Sequence, residues 1–407
     1  MDVEADCFVS GALLTVLHVS RFAGIAPLRF VKKKTRWHVS PSMAWSIYGY
    51  FLVTLQLDSE KTVRMRNHTR QVVWIVDSSL VMLLAGTAVY GAPGHMKSMI
   101  ACFNEVQKLN YELNMNHRSM LSEKKKISLF MLWAIFTVVL FSADHGLLMY
   151  TINLNNADYW IGAMYGFYYC CYWIAQLRAM LFIFITLHVM YTFKALNDSL
   201  RTLLHGMVSL KMSTAEYRPP PQSKYFLLSL PDGLTKPARC QQKTIRRVTL
   251  VYMSACDVVR TVNQNYGLMA LMMLGFYLLH IVVTVYYFIN NISIMNNNMR
   301  TINVTIQIIW CLFHTLNLLM AVEPCHLTHM EMQTTRQLVG ELIIYKHATY
   351  EPLEMELELF FRHLLLNQTS YSPLQVTTIS RPLLATVSYR KFNRTSTSTH
   401  LYFSVDT

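Results

Sequence analysis

The chain has 407 residues, of which 53% are hydrophobic and only 14% charged, a composition too apolar for an ordinary water-soluble domain. Its formal net charge of +13 would suggest nucleic acid in a soluble protein, but no interleaved aromatic and basic stripe accompanies it, so no nucleic-acid partner is expected. None of the eight cysteines falls in a predicted outer loop, which argues against a disulfide framework.

Residues 1–38 read as a cytosolic N-terminal segment. They contain an apolar stretch at 11–19, yet Asp2, Glu4 and Asp6 stand where a signal peptide needs cations, so no cleaved signal is expected. Six long apolar runs follow, at 39–57, 72–90, 127–152, 159–193, 268–289 and 304–322. Each reaches the ~17–25 residues that carry a helix across the lipid bilayer. They lack the period-2 pattern of barrel strands, and a lipid-exposed backbone must satisfy its own hydrogen bonds, so helices are predicted. Loops on the N-terminal side of the membrane carry 26 Lys and Arg residues, the opposite loops five. By the positive-inside rule the N-terminus and the large loop 194–265 are cytosolic.

The fourth run would form about 52 Å of helix, more than a bilayer core, and is predicted to continue into the cytosol. In 217–243, Pro219, Pro220, Pro221, Pro231, Gly233 and Pro237 mark a flexible loop, with helix resuming near Thr244. Residues 39–323 thus hold transmembrane helices one to six. Segment 324–372 is predicted as cytosolic helix: Leu338, Leu342 and Tyr345 share one helical face, and Leu353, Leu357, Phe360, Phe361 and Leu364 form a second stripe. Residues 373–388 could make only a partial seventh helix, because the apolar stretch 374–387 contains Arg381 and Pro382. Residues 389–407 form a polar, atypical tail. The fold class is therefore an all-α polytopic membrane protein with six clear transmembrane helices and a truncated or degenerate seventh.

Ionisable groups inside apolar runs are costly and mark cavities or partners. Asp77, Asp144 and Arg178 are candidates for a ligand pocket or a buried ion-pair network, with His145, His188, His280 and His314 in similar settings. In the fourth run Tyr159 and Trp160 suit an interfacial belt, whereas Tyr165, Tyr169 and Tyr172 share a helical face fit for an aromatic-walled pocket or for simple helix packing. Sequons at Asn67, Asn291 and Asn303 fall at predicted outer loops and are candidate glycosylation sites; Asn197 also matches but is predicted to be cytosolic. Cys325-His326-Leu327-Thr328-His329 lacks a second ligand pair, so no metal site is expected. No nucleophile elbow, phosphate-binding loop or metalloprotease helix occurs, so neither catalysis nor a cofactor is expected.

Taken together, the architecture resembles the insect gustatory receptor family. The run 13–30, with Arg21-Phe22-Ala23-Gly24-Ile25-Ala26-Pro27, looks like the family's apolar lead-in, and Thr334-Thr335-Arg336, Leu338-Val339, 356–366 and 371–384 look like its approach to the final helix. The resemblance implies a seven-transmembrane chemosensory receptor for small-molecule tastants. It further implies a tetrameric, ligand-gated, non-selective cation channel, homomeric or built with other gustatory receptor subunits, in the plasma membrane of gustatory neuron dendrites. In the family the last helix lines the pore and ends in Thr-Tyr, about five apolar residues, then Gln-Phe. Here the chain reads Ser388-Tyr389-Arg390-Lys391-Phe392-Asn393-Arg394-Thr395 instead. The alternative within the family is accordingly a non-conducting truncated isoform that modulates complete subunits. A G-protein-coupled receptor would need an outside N-terminus, and a secondary transporter an internal repeat; the sequence shows neither.

Overall fold

The computed structural model describes residues 7–9, 12–22, 26–33, 36–44, 46–47, 68–113, 118–154, 159–216, 232–294, 297–345, 351–373 and 378–381. Its elements in chain order are β1 (Cys7–Val9), α1 (Ala12–Phe22), β2 (Leu28–Lys33), β3 (Arg36–Pro41), α2 (His68–Tyr90), α3 (Ala92–Glu112), α4 (Arg118–Leu154), α5 (Tyr159–Glu216), α6 (Asp232–Ile294), α7 (Asn297–Tyr345) and α8 (Glu351–Leu366). Four helices among the described residues, α4 to α7, are long and apolar enough to cross a membrane. A bent pair, Ile75–Tyr90 in α2 and Gly94–Glu112 in α3, meets the same criterion with a 69° break.

The chain divides into two compact units. The first comprises Met1–Gln107, Met115–Ile185 and Gln264–Ala321. In it α5 is the central helix: 72% of its most apolar window is buried, against 17% for α4. The outer face of α4 shows Leu132, Ile135, Val138 and Val139, as a lipid-facing helix should. The bend between α2 and α3 falls at Gly91, whose N–H donates to the Thr87 carbonyl at 3.1 Å. Pro93 follows in the first turn of α3, where its missing N–H is tolerated.

The fold is mostly helical, as the sequence predicts, and the structure adds one small sheet. Residues 7–41 contain an antiparallel sheet of order β1-β3-β2, with Val39 paired to Phe30 and to Cys7. Leu28 and Val39 are buried on it, so 39–41, placed in the first span by sequence, belong to a strand. Helical hydrogen bonding begins with Ser46 N–H donating to Ser42 O at 3.1 Å. Residues 48–67, the rest of that span, lie outside the described residues. Two other segments read as loop are also helical. Helix α3 buries Met96, Met99, Ile100, Phe103, Val106 and Leu109 on one face despite Lys97 and Lys108. Helix α6 starts at Asp232, not near Thr244, and takes Pro237 into its first turns.

The second unit comprises Lys108–Asn114, Thr186–Asn263 and Val322–Thr407. Its polar centre is Asn197, fully buried, whose Nδ2 donates to the Glu331 carbonyl (2.8 Å) and carboxylate (2.7 Å) while its Oδ1 accepts from Thr335 Oγ1 (2.7 Å). The predicted helix over 353–364 is α8, and Leu353, Leu357, Phe360 and Leu364 make its buried face. Phe360 meets Tyr252 edge-on, which in turn meets Phe193. Beyond α8, Asn263 Nδ2 donates to the Ser370 carbonyl at 2.6 Å and Arg260 to Asn367 at 2.8 Å. Arg381 forms an exposed ion pair with Glu323. Residues 374–377 and 382–407, the remainder of the seventh-helix segment and the tail, lie outside the described residues.

Candidate functional site

Five helices of the first unit contribute to one aromatic and polar cluster, four of them through residues at helical spacing. Helix α2 supplies Asp77, α4 supplies Phe141, Asp144 and His145, and α5 supplies Tyr165, Tyr168, Tyr169, Tyr172 and Gln176. Helix α6 adds Phe276, Tyr277 and His280, and α7 adds Trp310, Phe313, His314 and Asn317. Spacings of three and four put each set on one helical face.

Both carboxylates are held by tyrosines of α5. Tyr169 O–H donates to Asp144 Oδ2 at 2.5 Å, and Trp310 Nε1–H donates to the same oxygen at 3.1 Å. Tyr168 O–H donates to Asp77 Oδ2 at 2.7 Å. His280 Nε2 lies 2.9 Å from Asp77 Oδ1, within ion-pair distance but off the line of a hydrogen bond. Adjacent tyrosines thus aim at carboxylates on two different helices.

Deeper along α5 the cluster becomes fully closed. Tyr172, 1% exposed, shares a 3.1 Å hydrogen bond with His314 Nδ1 and packs against Phe141, Phe276, His280 and Trp310. His314 stacks on His280 at 4.6 Å and on Trp310 at 5.3 Å, and Trp310 stacks on Phe141 at 5.5 Å. One turn on, Gln176 Nε2 donates to Asn317 Oδ1 at 2.5 Å while its Oε1 accepts from Tyr277 O–H at 2.9 Å. The arrangement is graded: half-buried carboxylates and tyrosines at one end, and buried amides and imidazoles at the other.

Of the sequence candidates, Asp77, Asp144, Tyr169 and Tyr172 are brought together, and half-buried Tyr165 sits one turn before Tyr169. Arg178 is not part of this set. Its guanidinium lies against Met269 and Tyr266 on another face of α5. Sequence reasoning missed Tyr168, Gln176, Tyr277, Trp310 and Asn317; the spacing of Trp310, His314 and Asn317 along one face was the available signal. Asn291 lies in the last turns of α6 and Asn303 in the first turns of α7, while Asn67 lies outside the described residues. Among the described residues no group of three His, Cys, Asp or Glu side chains could hold a metal ion.

A family model described as 7tm chemosensory receptor matches residues 13–388. The gustatory receptor for sugar taste 43a of Drosophila melanogaster is 22% identical over 410 residues, which span 92% of this chain and 94% of that receptor. The structure of the insect olfactory receptor OR5 from Machilis hrabei superposes with a TM-score of 0.57 at 10% identity, covering 94% of this chain and 96% of that one. Its structure in complex with eugenol gives 0.59 at 10% identity, covering 94% and 95%. At these identities the likeness to the olfactory receptor is one of fold.

Proposed function

Because the chain belongs to the 7tm chemosensory receptor family, we propose that it is a gustatory receptor subunit whose transmembrane aromatic cluster binds a small organic tastant and gates a tetrameric, non-selective cation channel. The observation that carries this reading is the pair of carboxylates, Asp77 and Asp144, each bonded to a neighbouring tyrosine of α5. An ion-bearing cluster inside apolar helices is costly to keep for packing alone. A ligand bearing hydroxyl groups can replace Tyr168 and Tyr169 as donors to these carboxylates while its apolar face lies on the rings of Phe141 and Trp310. Exchange of those bonds would shift α5 relative to α2 and α4, which is the differential interaction that gating requires.

With the loop cations on the cytosolic side, Asp77, Asp144, Tyr165 and Tyr169 lie towards the outer ends of their spans, and the α6 and α7 residues near the middle of theirs. A ligand would then arrive from outside the cell, with this multi-pass protein in the plasma membrane of a taste neuron dendrite. The match to a receptor for sugar taste favours sugars and polyols as the first compounds to try. In the same orientation Asn67, Asn291 and Asn303 are proposed to be glycosylated.

A second reading concerns conduction. Arg390, Lys391 and Arg394 stand where the outer half of a pore helix should be apolar, and each cation at the bilayer centre costs ~2.5–3.5 kcal/mol on insertion scales. The subunit is therefore proposed to contribute ligand sensing to assemblies with complete subunits while not conducting alone. Recording ligand-evoked current with and without a co-expressed complete gustatory receptor tests both parts: a current that never depends on this chain refutes the first, and one carried by this chain alone refutes the second.

A further inference from the structure

Residues 7–57 contain six cations, Arg21, Arg29, Lys32, Lys33, Lys34 and Arg36, and no Asp or Glu. The positive-inside rule asks only that such charges lie near the membrane; here a folded sheet also fixes their spacing. In β2, Phe30 stacks on His18 of α1 at 4.0 Å, and Leu28 is buried on the same face. Strand alternation puts Arg29, Val31 and Lys33 on the opposite face, where Arg29 and Val31 are exposed. The register sets Arg36 of β3 directly across from Lys33, a like-charge pair that costs stability unless an anion lies beside it. Among the described residues no carboxylate pairs with Arg29 or Lys32. A second basic run, Lys124-Lys125-Lys126, stands near the start of α4, the helix against which α1 packs. Apolar side chains flank the cations: Phe22 at the end of α1 is 67% exposed, and Met43, just past β3 at the start of the first predicted span, is 81% exposed.

We propose that this N-terminal sheet binds the headgroup of a polyphosphorylated inositol lipid in the cytosolic leaflet, with Phe22 and Met43 entering the acyl layer. A juxtamembrane cluster of this size is drawn to anionic lipid by its charge. Cations held at fixed positions across a ladder, about 5 Å apart at Cβ, suit several phosphates on one ring better than the single net charge of phosphatidylserine. Exposed apolar side chains beside them suit a lipid better than a soluble anion. The site rests on the cytosolic orientation of the N-terminus proposed above and is independent of what the Asp77 and Asp144 cluster binds. Binding in detergent does not depend on orientation, so the two can fail separately.

The test is native mass spectrometry of the purified full-length protein in detergent, titrated with a phosphatidylinositol bisphosphate, phosphatidylserine or free inositol trisphosphate. The expected result is one saturable adduct of the inositol lipid per subunit, at least about 10-fold tighter than either of the others. Arg29→Gln with Lys33→Gln should weaken it about 10- to 30-fold. Lys243→Gln with Arg246→Gln, an equal loss of charge on the exposed face of α6, should leave it unchanged. Should the first double variant fail to fold, exposed Arg29 and Lys32 are replaced singly by Gln, each with an expected loss of about 3- to 5-fold. Equal affinity for the inositol lipid and phosphatidylserine would overturn the proposal, as would trisphosphate binding as tightly as the lipid. Binding that survives loss of the sheet cations, or that falls equally in the α6 variant, would overturn it too.

Discussion

His280 and His314 stack with ring centroids 4.6 Å apart, and each ring is tied at its far side to another helix. His280 faces Asp77 of α2, while His314 bonds Tyr172 of α5. The stack therefore joins four helices through two imidazoles, so a change at Asp77 should be felt by residues it does not touch.

That linkage makes the Asp77 and His280 substitutions non-additive. His280→Phe removes the imidazole 2.9 Å from Asp77 Oδ1 and should destabilise the fold by about 1–3 kcal/mol. Adding Asp77→Asn should recover part of that loss, giving a coupling on the order of 0.5–3 kcal/mol in a double-mutant cycle of thermal midpoints. Additivity within about 0.5 kcal/mol would mean that the two side chains do not interact.

Tyr169 and Tyr172, one turn apart, should behave differently. Tyr169→Phe removes the donor that the ligand must displace from Asp144 but keeps the ring against Phe141, so surface expression should hold while the half-maximal ligand concentration falls about 5- to 20-fold. Tyr172→Ala removes a ring packed among Phe141, Phe276, His280 and Trp310, a loss on the order of 3–5 kcal/mol that should abolish surface expression. Surface biotinylation beside dose-response curves separates the two, and normal expression of Tyr172→Ala would show that the closed end of the cluster is loosely packed.

In the second unit, Asn197→Ala should cost about 1–3 kcal/mol, because half-buried Glu331 loses a donor and buried Thr335 loses one of its two acceptors. Asn197→Asp should be worse, since it sets a carboxylate against that of Glu331. Thermal melts give the order directly, and an aspartate variant as stable as wild type would rule out the assigned contacts. Glycosidase treatment should release nothing from Asn197.

Two neighbours on α8 provide a third comparison. Phe360 is fully buried against Tyr252 while Phe361 is half-buried, so Phe360→Ala should cost about 3–5 kcal/mol and Phe361→Ala at least about 1 kcal/mol less. Equal losses in a denaturant titration would put the helix face in a different rotation.

The spans and α8 were legible because their cause is local: length and apolarity for the spans, and a stripe at 353, 357, 360 and 364 for the helix. Helix α3 was hidden because Lys97, Glu105 and Lys108 lower its average apolarity, although its buried residues recur at helical spacing. Strands β2 and β3 were hidden for another reason: a strand pair is specified by partners, and the apolar side chains of 28–41 sit beside a cationic run that reads as loop. At the site, Asp77 and Asp144 announced themselves as charges in apolar runs. Trp310 and Asn317 did not, being ordinary residues of a spanning helix until α7 sets them beside Asp144 and Gln176. Arg178 looked like a pocket residue by composition, and only the rotation of α5 separates it from the carboxylates.

The central claim is that the Asp77 and Asp144 cluster senses the ligand for a cation channel. The most direct measurement is a patch recording, against a panel of sugars, polyols and bitter organics, from cells expressing this chain with a complete gustatory receptor. In parallel recordings Asp144→Asn is introduced into this chain alone. The account predicts a ligand-evoked cation current that requires this chain and whose half-maximal concentration rises about 10-fold or more in the variant, the loss of one carboxyl hydrogen-bond acceptor. A current indifferent to the chain's presence, or dose-response curves that coincide for wild type and Asp144→Asn at equal surface expression, would contradict it.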